Sequence, residues 1–140
     1  MMDKSKAIRI IDKMYNHDAF SKWMGMERLD EREGYSKIRM TVRPEMLNGF
    51  YIAHGGITYS LADSAFAFAS NSRGHHAVSI ETSISHLKSL QAGDVLTAEA
   101  VEDHFNHKIA QYSVRITDQN EALVALFKGT VYRKSKEWEV

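Results

Sequence analysis

One carboxylate, Asp63, stands in a nearly all-apolar stretch seven residues after the pair Gly55-Gly56. From Ile57 to Ala69 the side chains are mostly Ala, Phe, Leu and Ile, the composition of a helix buried on several sides. A charge in such a helix is strongly unfavourable unless it is paired or has a task. No Lys or Arg lies between Arg43 and Arg73 to pair with it locally. An ionised aspartate there can deprotonate a water or attack a carbonyl itself, and the sequence leaves both routes open. Two glycines at the start of a helix offer bare N–H groups at the positive end of the helix dipole, which suits an oxyanion. Taken without its surroundings, Asp63 is equally a buried polar residue bonded to backbone. Gly55-Gly56 has the plainer reading of a tight turn.

The elements that must position these groups follow from hydrophobic periodicity. Ile8, Ile11, Tyr15, Phe20 and Trp23 recur at helical spacing and predict an N-terminal amphipathic helix over about 3–24, ended by Gly25. Ser36 to Val42 alternates as a half-buried strand. Arg43 to Gly56 reads as a loop with a turn at Asn48-Gly49, and the central helix as about 56–72. Four strands are then expected at 77–87, 95–104, 108–117 and 121–133. The charged tail Lys134 to Val140 is expected to fray. The prediction is one α+β domain over 1–140, with an antiparallel sheet of five or six strands wrapped round one long central helix. The exposed sheet edge calls for a second copy.

The chain has 140 residues, no cysteine, and 18 basic residues balancing 18 acidic ones. Thiolate catalysis, disulfides and cysteine-based metal sites are excluded. The even charge argues against nucleic acid or a membrane surface as partner. No signal peptide or membrane-spanning run is visible, so a cytoplasmic protein is expected. His75-His76 and His104/His107 lack the spacing of a metal site, and no metal or cofactor is expected.

The spaced set Met46-Leu47-Asn48-Gly49, His54-Gly55-Gly56, Ser60-Leu61-Ala62-Asp63, Ala65-Phe66-Ala67, Asn71-Ser72, Gly74, Ala92-Gly93-Asp94 and Ala125-Leu126-Phe127-Lys128-Gly129 resembles the hotdog-fold acyl-CoA thioesterases of the phenylacetate-pathway branch. The resemblance covers about residues 10 to 133. It implies hydrolysis of an acyl-CoA to free acid and coenzyme A, without metal or cofactor, in homodimers paired into tetramers. Gly55, helped by Gly56, would hold the thioester oxygen, and Asp63 would be base or nucleophile. Asn48 and His54 would support the thioester or the loop, and Ser79 would position water. Lys88, Arg133 or Lys134 would meet a coenzyme A phosphate. Phe50, Tyr51, Tyr59 and Phe66 would line an acyl pocket suited to an aromatic or medium apolar group, hydroxyphenylacetyl being the family-led choice. Each has a plainer reading: Asn48 as a turn residue, His54 as structural, Ser79 with Glu81, Ser83 and Ser85 as one wet strand face, and the cations as solvated. The chain lacks a proline common in that branch at Lys88-Ser89-Leu90-Gln91.

Seven helical residues rise about 10 Å, so Gly56 and Asp63 of one chain are too far apart to touch one carbonyl. The two functions are therefore expected to meet across a dimer interface. Rival readings are a non-catalytic acyl-CoA-binding or sensing protein of the same fold, and a hydratase or dehydratase. The second lacks its usual His-Pro-Gly phrase here.

Overall fold

A computed structural model describes residues 4–140, so the first residue of the expected N-terminal helix lies outside the described residues. Amphipathic periodicity yields two helices where one was expected: α1 (Lys6–Asn16) and α2 (Ala19–Trp23). The break has a local cause, because Asp18 caps α2 by accepting from Ser21 N–H at 2.9 Å. Gly25, at φ +73°, follows α2 in the left-handed conformation.

Six strands form one antiparallel sheet: β1 (Glu27–Arg32), β2 (Tyr35–Thr41), β3 (His75–His86), β4 (Val95–Phe105), β5 (Ile109–Thr117) and β6 (Leu123–Glu137). Their order is β1-β2-β4-β5-β6-β3. The strand β1 has almost no apolar alternation, only Leu29 among charges, and it is held as an edge strand against β2. The sixth strand thus comes from pairing and not from pattern. The tail does not fray. β6 continues to Glu137, and Trp138 stacks on His76 at 4.0 Å and donates from Nε1 to Asn71 Oδ1 at 3.0 Å.

The central helix α3 (Gly55–Asn71) lies in the concave face of this sheet. Small side chains allow the close approach: Ala62, Ala65 and Ala69 on the helix and Ala98 and Ala100 on β4 are all fully buried. Ile38, Met40, Leu96, Val114 and Ile116 complete the core. Phe66 packs edge-on to Tyr112 at 5.9 Å and against Phe127 at 5.5 Å. It belongs to this core and not to an acyl pocket, since it is 1% exposed. No helix of the described residues is long and apolar enough to cross a membrane.

Candidate active site

The start of α3 separates the two glycines. His54 caps the helix, and its Nδ1 accepts from Gly56 N–H at 2.9 Å. A Cβ on Gly56 would come within 3.1 Å of that nitrogen, a tight contact that the His54 ring would have to relieve by shifting. The Gly56 amide is thereby occupied, and its expected contact with substrate is not available while the cap holds. The Gly55 N–H has no acceptor among the described residues. One open amide, not two, faces outward at the positive end of the dipole.

Asn48 serves both of its expected readings. Its Oδ1 accepts from Phe50 N–H at 2.9 Å and Ile52 N–H at 3.4 Å, closing a turn in which Tyr51 takes φ +62°. The carbonyl side is consumed by the turn, and the Nδ2 donors remain for another partner. Asn48 and Gly55 line a cavity of about 300 Å³ together with Thr58, His86 and Lys88.

Asp63 lies two turns further along α3, half-buried, on the partly open helix face that also carries Gly56, Ser60 and Ala67. Burial pushes its pKa up, and no hydrogen bond or neighbouring charge among the described residues offsets that shift. The adjacent turn is tied down. Ser21 donates to Asp18 at 2.7 Å and sits 2.9 Å from Ser64 Oγ, so the Ser64 hydroxyl is the donor in that second bond. This link fastens α2 beside the carboxylate.

Ser79 is where strand parity misleads. Along β3 the register runs Ser79 opposite Val131 and then Glu81 opposite Thr130, so Ile80 is an extra residue, a β-bulge. Directly opposed residues share a sheet face. Val131, Gly129 and Phe127 of β6 are buried against the helix, which places Ser79, Thr82, Ile84 and His86 on the inner face. Glu81, Ser83 and Ser85 fall on the outer one. The expected common wet face of Ser79, Glu81, Ser83 and Ser85 is therefore split by the bulge. Height along the helix is bracketed as well. Ala77 N–H donates to Asn71 at one end, and Tyr59 OH pairs with Thr82 Oγ1 at 2.6 Å at the other. Ser79 lies between Ala77 and Thr82 on the strand, as Asp63 lies between Asn71 and Tyr59 on the helix. Tyr59 fills the gap between α3 and β3, with its ring edge-on to Phe127 at 5.6 Å.

Two of the three expected phosphate cations are otherwise engaged. Lys88 is ion-paired with Asp118, which raises the Lys88 pKa and lowers that of Asp118. Asp118 also accepts from the backbone N–H groups of Asn120 and Ala122. Arg133 is buried, donates to the carbonyls of Asn106 and His107, and stacks on Phe105 at 4.3 Å. Lys134 is exposed. Periodicity alone passes over Thr58 and His86. A hydroxyl at the third position after Gly55 is the one signal that bears on the first of them.

The edge of the sheet opposite β1 is β3, where Val78 and Ile80 are exposed. Phe50 and Tyr51, 83% and 79% exposed, project from the loop before α3. Large apolar groups at a bare strand edge beside a half-open site need a cover.

The thioesterase superfamily pattern matches residues 50–125. The chain is 42% identical over 120 residues to the acyl-coenzyme A thioesterase PaaI of Escherichia coli, covering 86% of each. It is also 42% identical over 130 residues to a putative esterase of Archaeoglobus fulgidus, covering 93% of this chain and 84% of that one. The structure of the E. coli PaaI protein from the phenylacetic acid degradation operon superposes with a TM-score of 0.92 at 39% identity, covering 94% of this chain and 96% of that one. An open amide at a helix start, a lone carboxylate on the same helix and a six-stranded sheet curled round it thus fall in a known frame: the chain belongs to the thioesterase superfamily, as a hotdog-fold thioester hydrolase of the PaaI type.

Proposed function

We propose that this protein hydrolyses acyl-CoA thioesters, with an aryl or medium apolar acyl group such as hydroxyphenylacetyl, to the free acid and coenzyme A. The thioester oxygen sits on Gly55 N–H, with Asn48 Nδ2 as a second donor. Polarised in this way, the carbonyl carbon accepts an oxygen nucleophile, negative charge builds on the oxygen, and the C–S bond breaks as the carbonyl re-forms. Asp63 takes a proton from the attacking water, or attacks directly to give an anhydride that water opens.

The observation that carries this reading is a pair of unfilled groups on one helix. Among the described residues Gly55 N–H has no acceptor, and the Asp63 carboxylate has no donor or counter-ion. Eight residues of helix separate them, about 12 Å. No single carbonyl spans that distance, so each site draws Gly55 from one chain and Asp63 from a partner. The bare β3 edge and the exposed Phe50–Tyr51 loop supply the surface for this pairing, and Ser79, on the inner face of β3, is the residue assigned to hold the water. A dimer of dimers follows the same family pattern. The soluble interior is the expected location, because nothing in the charge or hydropathy calls for a membrane.

The test is release of free thiol from a panel of aryl, short and long acyl-CoA substrates. Hydrolysis with a preference for aryl or medium acyl groups supports the assignment. Tight binding without product release favours the binding-protein reading instead.

A further inference from the structure

His86, the last residue of β3, lies across the start of α3, and the mechanism above gives it no task. Its Nδ1 is 3.1 Å from Thr58 Oγ1, and the Thr58 hydroxyl donates to the Gly55 carbonyl at 3.0 Å. A hydroxyl has a single proton to give. Thr58 spends it on Gly55, so the second bond runs from His86 Nδ1–H to Oγ1. In the neutral ring Nε2 then carries only a lone pair. That nitrogen has no hydrogen-bond partner among the described residues, and it stands 3.3 Å from where a Cβ on Gly55 would lie. The cavity thus presents an open donor, Gly55 N–H, beside an open acceptor, His86 Nε2, with the ring orientation fixed through Thr58.

We propose that His86 recognises the thiol arm of the substrate. Its Nε2 accepts a hydrogen bond from the amide N–H that lies two methylenes beyond the thioester sulfur in a pantetheine-type thiol. The inference rests on the thioesterase reading above and names the part of the substrate that His86 reads. A thioester whose oxygen is held by Gly55 must lead its sulfur substituent past the flank of Gly55, and the imidazole forms that flank. A neutral ring with its proton on Nδ1 cannot donate to the oxyanion or to the departing sulfur. Asp63 already serves the attacking oxygen. The N–H of the thiol arm is the remaining donor that this lone pair can satisfy. His86 is in this sense a specificity-determining residue and not a proton carrier.

The experiment compares kcat/KM for an acyl N-acetylcysteamine thioester, which keeps the amide, with the same acyl thioester of butanethiol, which lacks it. His86→Asn keeps a donor toward Thr58 and removes the acceptor. The preference for the amide thioester should fall by about tenfold, the equivalent of one hydrogen bond. His86→Gln, which returns an acceptor near the Nε2 position, should recover most of that preference. An unchanged ratio in His86→Asn, including an equal loss on both substrates, overturns the proposal and leaves the thioesterase assignment standing. Hydrolysis of neither thioester by the unmutated protein overturns both.

Discussion

Gly56 gives its N–H to His54 Nδ1 at 2.9 Å, and this bond decides which of two adjacent amides is open to a ligand. The cap is a stability device that also sets the geometry of Gly55. His54→Ala should lower the melting temperature by about 2–4 °C, the effect of losing one helix cap. His54→Asn, a good cap, should restore most of it. Thermal unfolding of the two variants checks this, and catalysis should follow the same order, because a loosened first turn blurs the position of the Gly55 amide.

Asp63 carries the strongest prediction. Asp63→Asn should lower kcat by about a thousandfold, the usual contribution of a positioned base or nucleophile. The same change should raise stability. Burial holds the folded-state pKa above its unfolded value, so ionisation opposes folding at pH above that raised value. The opposition disappears where the carboxyl is protonated both folded and unfolded. The variant should therefore melt higher than the unmutated protein at neutral pH, and the gain should vanish once the pH falls below the ordinary carboxylate range. Loss of activity together with a gain in melting temperature separates a functional carboxylate from a structural one. On the acid side, kcat/KM should fall at a pH above the ordinary carboxylate range.

The bulge at Ile80 gives a matched pair of substitutions. Ser79→Ala should reduce kcat by about tenfold or more, the scale of a lost positioning hydrogen bond. Ser83→Ala, on the outer face, should leave it unaltered. A strand without the bulge predicts the same result for both, so assay of the two variants side by side tests the register.

Much of this site was legible in the sequence because its signals are local. A lone aspartate in an Ala- and Phe-rich helix and a glycine pair before it are visible without a fold. The helix break at Asp18 was hidden because Phe20 and Trp23 keep helical spacing across it. The strand β1 was hidden because Glu27 to Arg32 has one apolar side chain and forms only by pairing with β2. The plainer reading of Ser79, one wet face shared with Glu81, Ser83 and Ser85, rested on an alternation in which the bulge that reverses parity at one residue is invisible. Lys88 and Arg133 looked like free cations because their partners, Asp118 and the Asn106–His107 carbonyls, are distant in sequence.

Packing under the helix yields a stability test remote from the chemistry. A Cβ on Gly129 would fall 2.6 Å from Phe66 Cζ, and the ring is locked between Tyr112 and Phe127. Gly129→Ala should destabilise the fold by about 1–3 kcal/mol, as overpacking does. Chemical denaturation should show a lowered midpoint. Gly129→Ala with Phe66→Leu should recover part of the loss.

The proposed site combines the Gly55 amide of one chain with the Asp63 carboxylate of another. Subunit complementation tests it most directly. Gly55→Pro removes the amide proton at the first helical position, where proline is tolerated, and Asp63→Asn removes the carboxylate. Each variant alone should be inactive. Mixed and reassembled in equal amounts, they should regain about a quarter of the unmutated activity, since half the dimers are hybrids and each hybrid holds one intact site. A mixture that forms hybrid dimers and stays inactive would contradict the account.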